Sequence, residues 1–198
     1  MKKGLLIGLL VVAGIVLFAF MSYGGIYNRL VAGDETVKSA WAQVQNVYQR
    51  RLDLIPNLVE TVKGYAAHEK QTLEGVVEAR SKISQMNISA DVLNSPEQMA
   101  KFQTLQTQLS SALSRLLVVA EQYPDLKASQ NFLTLQAQLE GTENRITVER
   151  RRFNDAAQEF NTLIRVFPNN FVAGMSGFRE KAYFQADAAA QAAPQVKF

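Results

Sequence analysis

The sequence has no cysteine, one histidine, one tryptophan and only five prolines in 198 residues. The missing cysteine excludes a disulfide framework, thiolate chemistry and a lipid-modified cysteine anchor. With one histidine and no cysteine, a transition-metal site would lack its usual ligands, so we predict no metal and no cofactor. His68, the single histidine, is interpreted as a residue on a helix face.

The chain also lacks a strong net charge and a recognisable catalytic motif. Its formal charge is +3, and Lys2 and Lys3 supply two of these charges, which leaves the rest close to neutral. Nucleic-acid binding needs a concentrated basic face, so no nucleic-acid partner is predicted. The sequence contains no P-loop, dinucleotide fingerprint or nucleophile elbow. We therefore predict that the protein is not an enzyme.

The longest apolar run follows Lys2 and Lys3 and covers residues 4–21. As a helix it would be about 27 Å long, just enough to cross the hydrocarbon of a bilayer. Residues 1–24 are therefore predicted to be an uncleaved membrane anchor, with a cleaved signal peptide as the alternative. The two lysines favour a cytoplasmic N-terminus, which predicts an extracytoplasmic helical domain; a cytoplasmic domain is the alternative.

The body, residues 25–168, follows the period of amphipathic helices. A first helix is predicted to continue from the apolar run to about Ile55, where Pro56 predicts a kink or short break. A second helix follows and fades near Asn87, where a polar connection begins. Ser95 and Pro96 predict the next start, as N-cap and first helical residue.

The fourth helix, expected to begin at the proline turn of residues 123–125, has the clearest pattern. Apolar residues recur at every seventh position until Pro168, which is typical of a left-handed bundle or coiled coil. The chain is thus predicted to be all-α, with an N-terminal transmembrane helix followed by an elongated antiparallel bundle of about four long helices. The predicted packing and assembly seam is Phe132, Leu139, Ile146, Phe153, Phe160 and Phe167.

Residues 169–198 form an aromatic and alanine-rich C-terminal tail. Its aromatic side chains are expected to dock on the bundle, with a membrane interface or another subunit as open alternatives.

Polar residues lie beside the seam and around Pro56. A carboxylate pair there would suit acid–base chemistry or Ca²⁺ binding. A hydrogen-bonded and ionic network that fixes the register of the helices is the preferred interpretation. The predicted structural network is Arg51, Asp53, Asn57, Gln136, Glu143, Asn144 and Arg150.

Several continuous strings carry a family resemblance. They are RLDLIPNLV (residues 51–59), VKGYAAHE (62–69), YPDLKA (123–128) and QAQLEGTENRI (136–146), followed by the spaced Asn154 and Asn161. The chain resembles the LemA family in these strings. The resemblance implies a bacterial protein with an N-terminal membrane span and long antiparallel helices. It gives no enzymatic activity to expect of this chain.

The leading functional hypothesis is a membrane-anchored structural protein of the bacterial inner membrane. It would self-assemble through its long helices and organise or support the envelope. The predicted partners are the lipid bilayer, further copies of the chain and a membrane protein. The alternatives are an accessory binding module for a membrane protease, transporter or signalling protein, and an enzyme or metal-binding protein that uses Glu143.

Overall fold

The computed structural model describes residues 2–86 and 90–185. Within these ranges the chain contains no β-strand, and the predicted all-α class with a long apolar N-terminal helix is confirmed. Part of the predicted polar connection, residues 87–89, and the alanine-rich end of the tail, residues 186–198, lie outside the described residues. The helices are α1 (Lys2–Tyr65), α2 (Lys70–Ser84), a short 3₁₀ helix (Ala90–Asn94), α3 (Pro96–Ala120), α4 (Pro124–Lys127), α5 (Gln130–Arg165) and α6 (Asn169–Ser176).

A kink or a short break was predicted at Pro56. The break is absent, because helix α1 continues through this residue. A proline has no backbone N–H and leaves the carbonyl four residues earlier, here that of Leu52, without its helical donor. Arg80 of α2 fills this place, since its Nε donates to the Leu52 carbonyl oxygen at 3.1 Å. A long-range side-chain donor therefore replaces the hydrogen bond that the proline removes.

The break between the first two helices comes at residues 66–69 instead. Ala66 is buried there, and the Tyr123 hydroxyl donates to Glu69 Oε1 at 2.9 Å. Helix α2 then packs against α3. The second helix is consequently shorter than predicted and begins at Lys70.

The predicted start of α3 is confirmed. Ser95 has an extended backbone, its Oγ accepts a hydrogen bond from the Gln98 N–H at 3.2 Å, and Pro96 is the first helical residue. The proline turn after α3 differs from the prediction, because Pro124 begins only the four-residue helix α4. Helix α5 begins separately, at Gln130.

The chain divides into two compact units. The first contains residues 1–39 and 155–181, and the second contains residues 40–154 and 182–198. The second unit has a continuous apolar core supplied by α1, α2, α3, α4 and α5. Its largest members include Ile55, Leu58, Leu109, Leu116 and Phe132. Since each helix contributes an apolar stripe to this core, burial of these stripes stabilises the unit.

The first unit packs the end of α5 and helix α6 on residues of α1. Leu30 and Val37 of α1 are fully buried, as is Phe160 of α5. Gly33 permits this approach, because a Cβ at this position would lie 3.0 Å from Phe160 Cδ2. The large apolar side chains described between Leu6 and Met21 are, by contrast, all exposed.

The predicted seam is buried over most of its length. Its first five residues, Phe132 to Phe160 in steps of seven, are each at most 6% exposed. Phe167 differs, because α5 ends at Arg165 and leaves Phe167 beyond the helix, 79% exposed. The five buried residues are thus packing positions inside the chain.

We predict that Arg80→Met lowers the free energy of unfolding by about 1 kcal/mol, the usual contribution of one hydrogen bond. In a Pro56→Ala background the same change should cost much less, because the restored backbone N–H reaches the Leu52 carbonyl. Chemical denaturation of the four proteins gives the coupling energy directly.

Lys82→Met is the control for Arg80→Met, because the Lys82 ammonium pairs only on the surface with Glu78. Its cost should stay below about 0.5 kcal/mol. An Arg80→Met cost that is equal in both backgrounds would contradict the account of Pro56.

Candidate functional site

The most deeply buried charge of the second unit is the guanidinium of Arg51, which is 1% exposed. Its Nη1 donates to Glu143 Oε2 at 2.8 Å and to Ser110 Oγ at 3.0 Å, and its Nη2 donates to Gln106 Oε1. The guanidinium carbon also lies 5.3 Å from the centre of the Tyr48 ring. Arg51 thus joins three helices of this unit, α1, α3 and α5.

The chemistry available to this cluster is narrow. An arginine stays protonated in proteins and cannot relay a proton, so its pairing with Glu143 is ionic rather than acid–base. Among the described residues, Arg51 Nε and Gln106 Nε2 are buried without a hydrogen-bond partner. Because loss of Glu143 would leave the buried Arg51 charge without its carboxylate, the cluster favours one register of the three helices.

Only part of the predicted network meets at this point. The predicted pairing of Arg51 with Glu143 is present, and Gln106 and Ser110 are members that the sequence pattern missed. Of the remaining members other than Arg150, three are exposed, namely Asp53, Asn57 and Asn144, and Gln136 is half-buried. Asp53 accepts from Gln49 Nε2 at 2.7 Å, and Gln136 Nε2 donates to Glu140 Oε1 at 3.1 Å.

Arg150 belongs to a different site. Its Nη2 donates to the carbonyl oxygen of Gln185 at 3.1 Å, and its guanidinium lies 4.8 Å from the centre of the Phe184 ring. Both partners are in residues 182–185, the part of the tail that the structure describes in the second unit. We call these four residues the docked segment. The contacts of Arg150 are therefore with the docked segment, whereas Glu143 pairs with Arg51.

Side-chain amides bind the backbone of the docked segment. Asn154 Nδ2 donates to the Phe184 carbonyl oxygen and Asn154 Oδ1 accepts from the Phe184 N–H, both at 2.9 Å. Gln103 pairs with Gln185 in the same way, at 2.9 and 3.2 Å. Each amide satisfies both backbone groups of one residue, as a neighbouring β-strand would. These contacts bind backbone and do not depend on the side chains of the segment.

The Phe184 ring supplies the side-chain part of the docking. It is 5% exposed and lies 5.5 Å from Phe153, 5.9 Å from Trp41 and 6.3 Å from Phe102, measured between ring centres. Aromatic pairs at such distances add about 0.5–1.5 kcal/mol each to the burial of their surface. Phe184 thus completes an aromatic cluster whose other members come from α1, α3 and α5.

The preceding residues, in the first unit, are held by another asparagine. Asn161 Nδ2 donates to the Lys181 carbonyl oxygen at 2.9 Å, and Asn161 Oδ1 accepts from the Lys181 N–H at 2.7 Å. The buried Lys181 ammonium lies 2.7 Å from Asp34 Oδ1, and Lys38 lies 2.9 Å from Asp34 Oδ2. Burial raises the pKa of Asp34, but the hydrogen bonds and positive charges of Lys181 and Lys38 outweigh it and hold this pKa below its ordinary value.

Little in the residue pattern indicates these amide contacts. Asn154 and Asn161 were visible only as spaced asparagines in the family resemblance, and Gln103 did not stand out at all. Their partners are backbone groups, which leave no residue-type pattern in a sequence. The seven-residue spacing of the two asparagines places both on one face of α5, which is the one signal available.

Comparison with known proteins shows the family of the chain. The LemA family model matches residues 40–198. The chain belongs to the LemA family. This LemA-family chain is also 31% identical over 167 residues to Protein LemA of Metamycoplasma hominis, with 84% of the chain and 72% of the relative covered.

Two further relatives carry a different name. The chain is 26% identical over 175 residues to Magnetosome protein MamQ 2 of Paramagnetospirillum magneticum and 24% identical over 174 residues to Magnetosome protein MamQ of Magnetospirillum gryphiswaldense. In both comparisons 80% of the chain matches 64% of the relative. The LemA-family chain therefore corresponds to somewhat less than two thirds of these two proteins.

We predict that Glu143→Gln lowers the free energy of unfolding by about 2 kcal/mol, because it leaves the buried Arg51 charge without its carboxylate. Glu140→Gln is the matched control, since Glu140 is exposed on the same helix and pairs only with Gln136. Urea denaturation measures both. Unchanged stability of Glu143→Gln with lost function would favour a catalytic role and refute the structural one.

Asn154→Ala should destabilise the protein by about 2 kcal/mol, because the N–H and carbonyl of Phe184 lose their partners. It should also speed trypsin cleavage after Lys181, the residue that precedes the docked segment. Asn144→Ala, an exposed asparagine on the same helix, should cost less than about 0.5 kcal/mol. Equal stability and equal cleavage of the two variants would refute the amide contact.

Asp34→Asn should lower stability by about 2 kcal/mol at neutral pH, because it removes a charged acceptor from the buried Lys181. A carboxyl whose pKa is depressed on folding stabilises the protein above its unfolded pKa. This contribution disappears as the pH falls through the folded pKa. Thermal unfolding from pH 7 downward should therefore show the wild type and the variant converging below about pH 4.

Glu35→Gln is the control for this pH series, since Glu35 is adjacent, exposed and also pairs with Lys38. Its effect should stay below about 1 kcal/mol at all pH values. A difference between wild type and Asp34→Asn that persists unchanged at pH 3 would exclude ionic stabilisation by Asp34.

Proposed function

We propose that this LemA-family protein is a membrane-anchored, non-enzymatic structural protein that self-assembles and organises or supports the bacterial envelope. One observation carries the proposal. The large apolar side chains between Leu6 and Met21 are 56–75% exposed in one helical run that is long and apolar enough to cross a membrane. Water disfavours so large an apolar surface, whereas the hydrocarbon of a bilayer accommodates it.

The proposed anchor is the beginning of α1, whose later residues are buried in the folded units. Leu30 and Val37 lie in the first unit, and Ile55 and Leu58 lie in the second. The same helix would therefore be both the membrane span and a central packing element. This dual use favours a structural role, because the anchor would be joined to the fold without a flexible linker.

Self-assembly would use surfaces other than the predicted seam. Five seam residues are buried within the chain, so a substitution such as Phe160→Asp would disturb folding rather than separate copies. Anchoring in one plane raises the local concentration of copies, which favours weak lateral contacts. Two relatives are named as magnetosome proteins, which is compatible with an organising role.

Extraction of the full chain from membranes tests the anchor. The wild type should stay in the membrane pellet at alkaline pH, and Val11→Asp/Val12→Asp should not, since each central aspartate costs about 3 kcal/mol on insertion. Val11→Leu/Val12→Leu is the matched control. Release of the wild type by alkali would overturn the proposal.

Mass measurements on the extracted protein test whether the anchor is uncleaved and whether the protein self-assembles. An intact chain of 22.0 kDa indicates an uncleaved anchor, and a shorter chain indicates a signal peptide. Light scattering should then give a particle several times this mass. A monomer would exclude self-assembly while leaving the anchor in place.

The docking of residues 182–185 favours a second candidate function, an accessory binding module. Asn154 and Gln103 contact backbone groups of the docked segment, and every residue has such groups, so these contacts do not select a sequence. The Phe184 ring packs beside Phe153, and this position accepts one aromatic ring. We call this binding site of the docked segment the groove. It suits an extended segment of a membrane protease, transporter or signalling protein that displaces the docked segment.

A labelled peptide of residues 180–186 provides the test of this second function. It should bind Phe184→Ala more tightly than the wild type, because the docked segment of this variant keeps its backbone contacts but lacks the Phe184 ring and competes less. Asn154→Ala in the Phe184→Ala background should abolish the binding. Failure of the peptide to bind Phe184→Ala would exclude the groove as a site for other chains.

A further inference from the structure

Helix α6 has apolar side chains on two opposite faces. Val172 and Ala173 are buried against the first unit. On the other side Phe171 is 64% exposed and Met175 is 80% exposed, and Phe167, in the turn that precedes α6, is 79% exposed. A surface helix normally places polar residues on its outward face. We call Phe167, Phe171 and Met175 the apolar face.

Contacts within this part of the first unit define the arrangement of the apolar face. The rings of Phe167 and Phe171 pack edge to face with their centres 6.0 Å apart. Asn169 Nδ2 donates to the Leu163 carbonyl oxygen at 3.0 Å, and Gly177, with φ at +75°, ends α6 in the left-handed conformation. Phe171 and Met175 are four residues apart and lie on one side of α6, and the Phe167 ring packs on Phe171 from the turn between α5 and α6.

Helix α6 lies beside the end of the exposed apolar run of α1. The Ser176 hydroxyl lies 3.2 Å from the Tyr23 hydroxyl, and Tyr23 comes two residues after Met21, where the exposed apolar run ends. Tyr23 stacks on Tyr27 with ring centres 6.3 Å apart, and Tyr27 lies 6.0 Å from Phe178. Tyrosines at the end of a span are typical of the interface between membrane and water.

Charged residues flank the apolar face without interrupting it. Arg165 ends α5, just before Phe167, and Arg179 follows α6; both are exposed. Arg165 also lies 3.6 Å from Glu180. Basic side chains beside exposed aromatic residues are favourable next to anionic headgroups.

We propose that the apolar face of α6 inserts into the surface of the bilayer that holds the N-terminal span, and so makes a second contact with lipid. This inference rests on the proposed membrane anchor. Phe167, Phe171 and Met175 would enter the headgroup and upper acyl region to a depth of about 5–10 Å. The span fixes the first unit in the membrane, and α6 sets its orientation at the surface.

The absence of cysteine makes the test direct, because single cysteines can be labelled in the otherwise native chain. Met175→Cys, Leu10→Cys and Gln158→Cys, all at exposed positions of the first unit, are labelled with a polarity-sensitive fluorophore. Each full-length protein is reconstituted in vesicles of phosphatidylcholine and phosphatidylglycerol at three to one. Quenching by aqueous iodide and by a lipid-borne spin label is then measured.

The expected result is lipid quenching at Met175 and Leu10, and iodide quenching at Gln158, with the iodide constant at Met175 at least about threefold below that at Gln158. Equal iodide quenching at Met175 and Gln158, with Leu10 quenched by lipid, would overturn the inference and leave the anchor intact. Shielding of Met175 from both quenchers would assign the face to a protein partner or second copy, and would also overturn it. Iodide quenching at Leu10 would overturn the anchor itself.

Discussion

Backbone groups that leave water need a partner, and side chains supply it where this fold has no neighbouring backbone to do so. The docked segment, residues 182–185, is the clearest case. Asn154 and Gln103 take the place of a β-strand, and the Ala182 N–H donates to the Leu93 carbonyl oxygen at 2.7 Å. With these bonds made, Phe184 can lie in the aromatic cluster. The packing of Trp41 in the second unit depends on this arrangement, because its ring lies against Phe184.

The same principle explains two other features of the second unit. Arg80 donates to the carbonyl that Pro56 leaves without a helical partner, and α1 remains unbroken. Ser95 accepts from one of the free N–H groups at the start of α3. A buried charge also needs a partner, and the Glu143 carboxylate pairs with the buried Arg51 guanidinium at the margin of the core. Polar side chains therefore determine where helices continue, where they start and how they align.

Features that depend on residues close together in sequence were predicted, whereas features that depend on residues far apart in sequence were missed. The all-α class and the Ser95-Pro96 start depend on patterns within one or two turns, and both were predicted correctly. The effect of Pro56 was not, because the donor that rescues the helix is Arg80, 28 residues away in sequence from Leu52. Arg150 was misplaced for a similar reason. Its spacing on α5 puts it in line with Glu143, but the distant Gln185 carbonyl is its partner.

Integration of the docked segment into the helical core is the central claim, and amide hydrogen exchange tests it most directly. In the full-length protein the N–H groups of Ala182, Phe184 and Gln185 should exchange far more slowly than in an unstructured peptide, approaching the buried amides of α3. Exchange of all three at the rate of an unstructured peptide would contradict the claim. The segment would then be a loosely attached tail, and the aromatic cluster would have to be stable without Phe184.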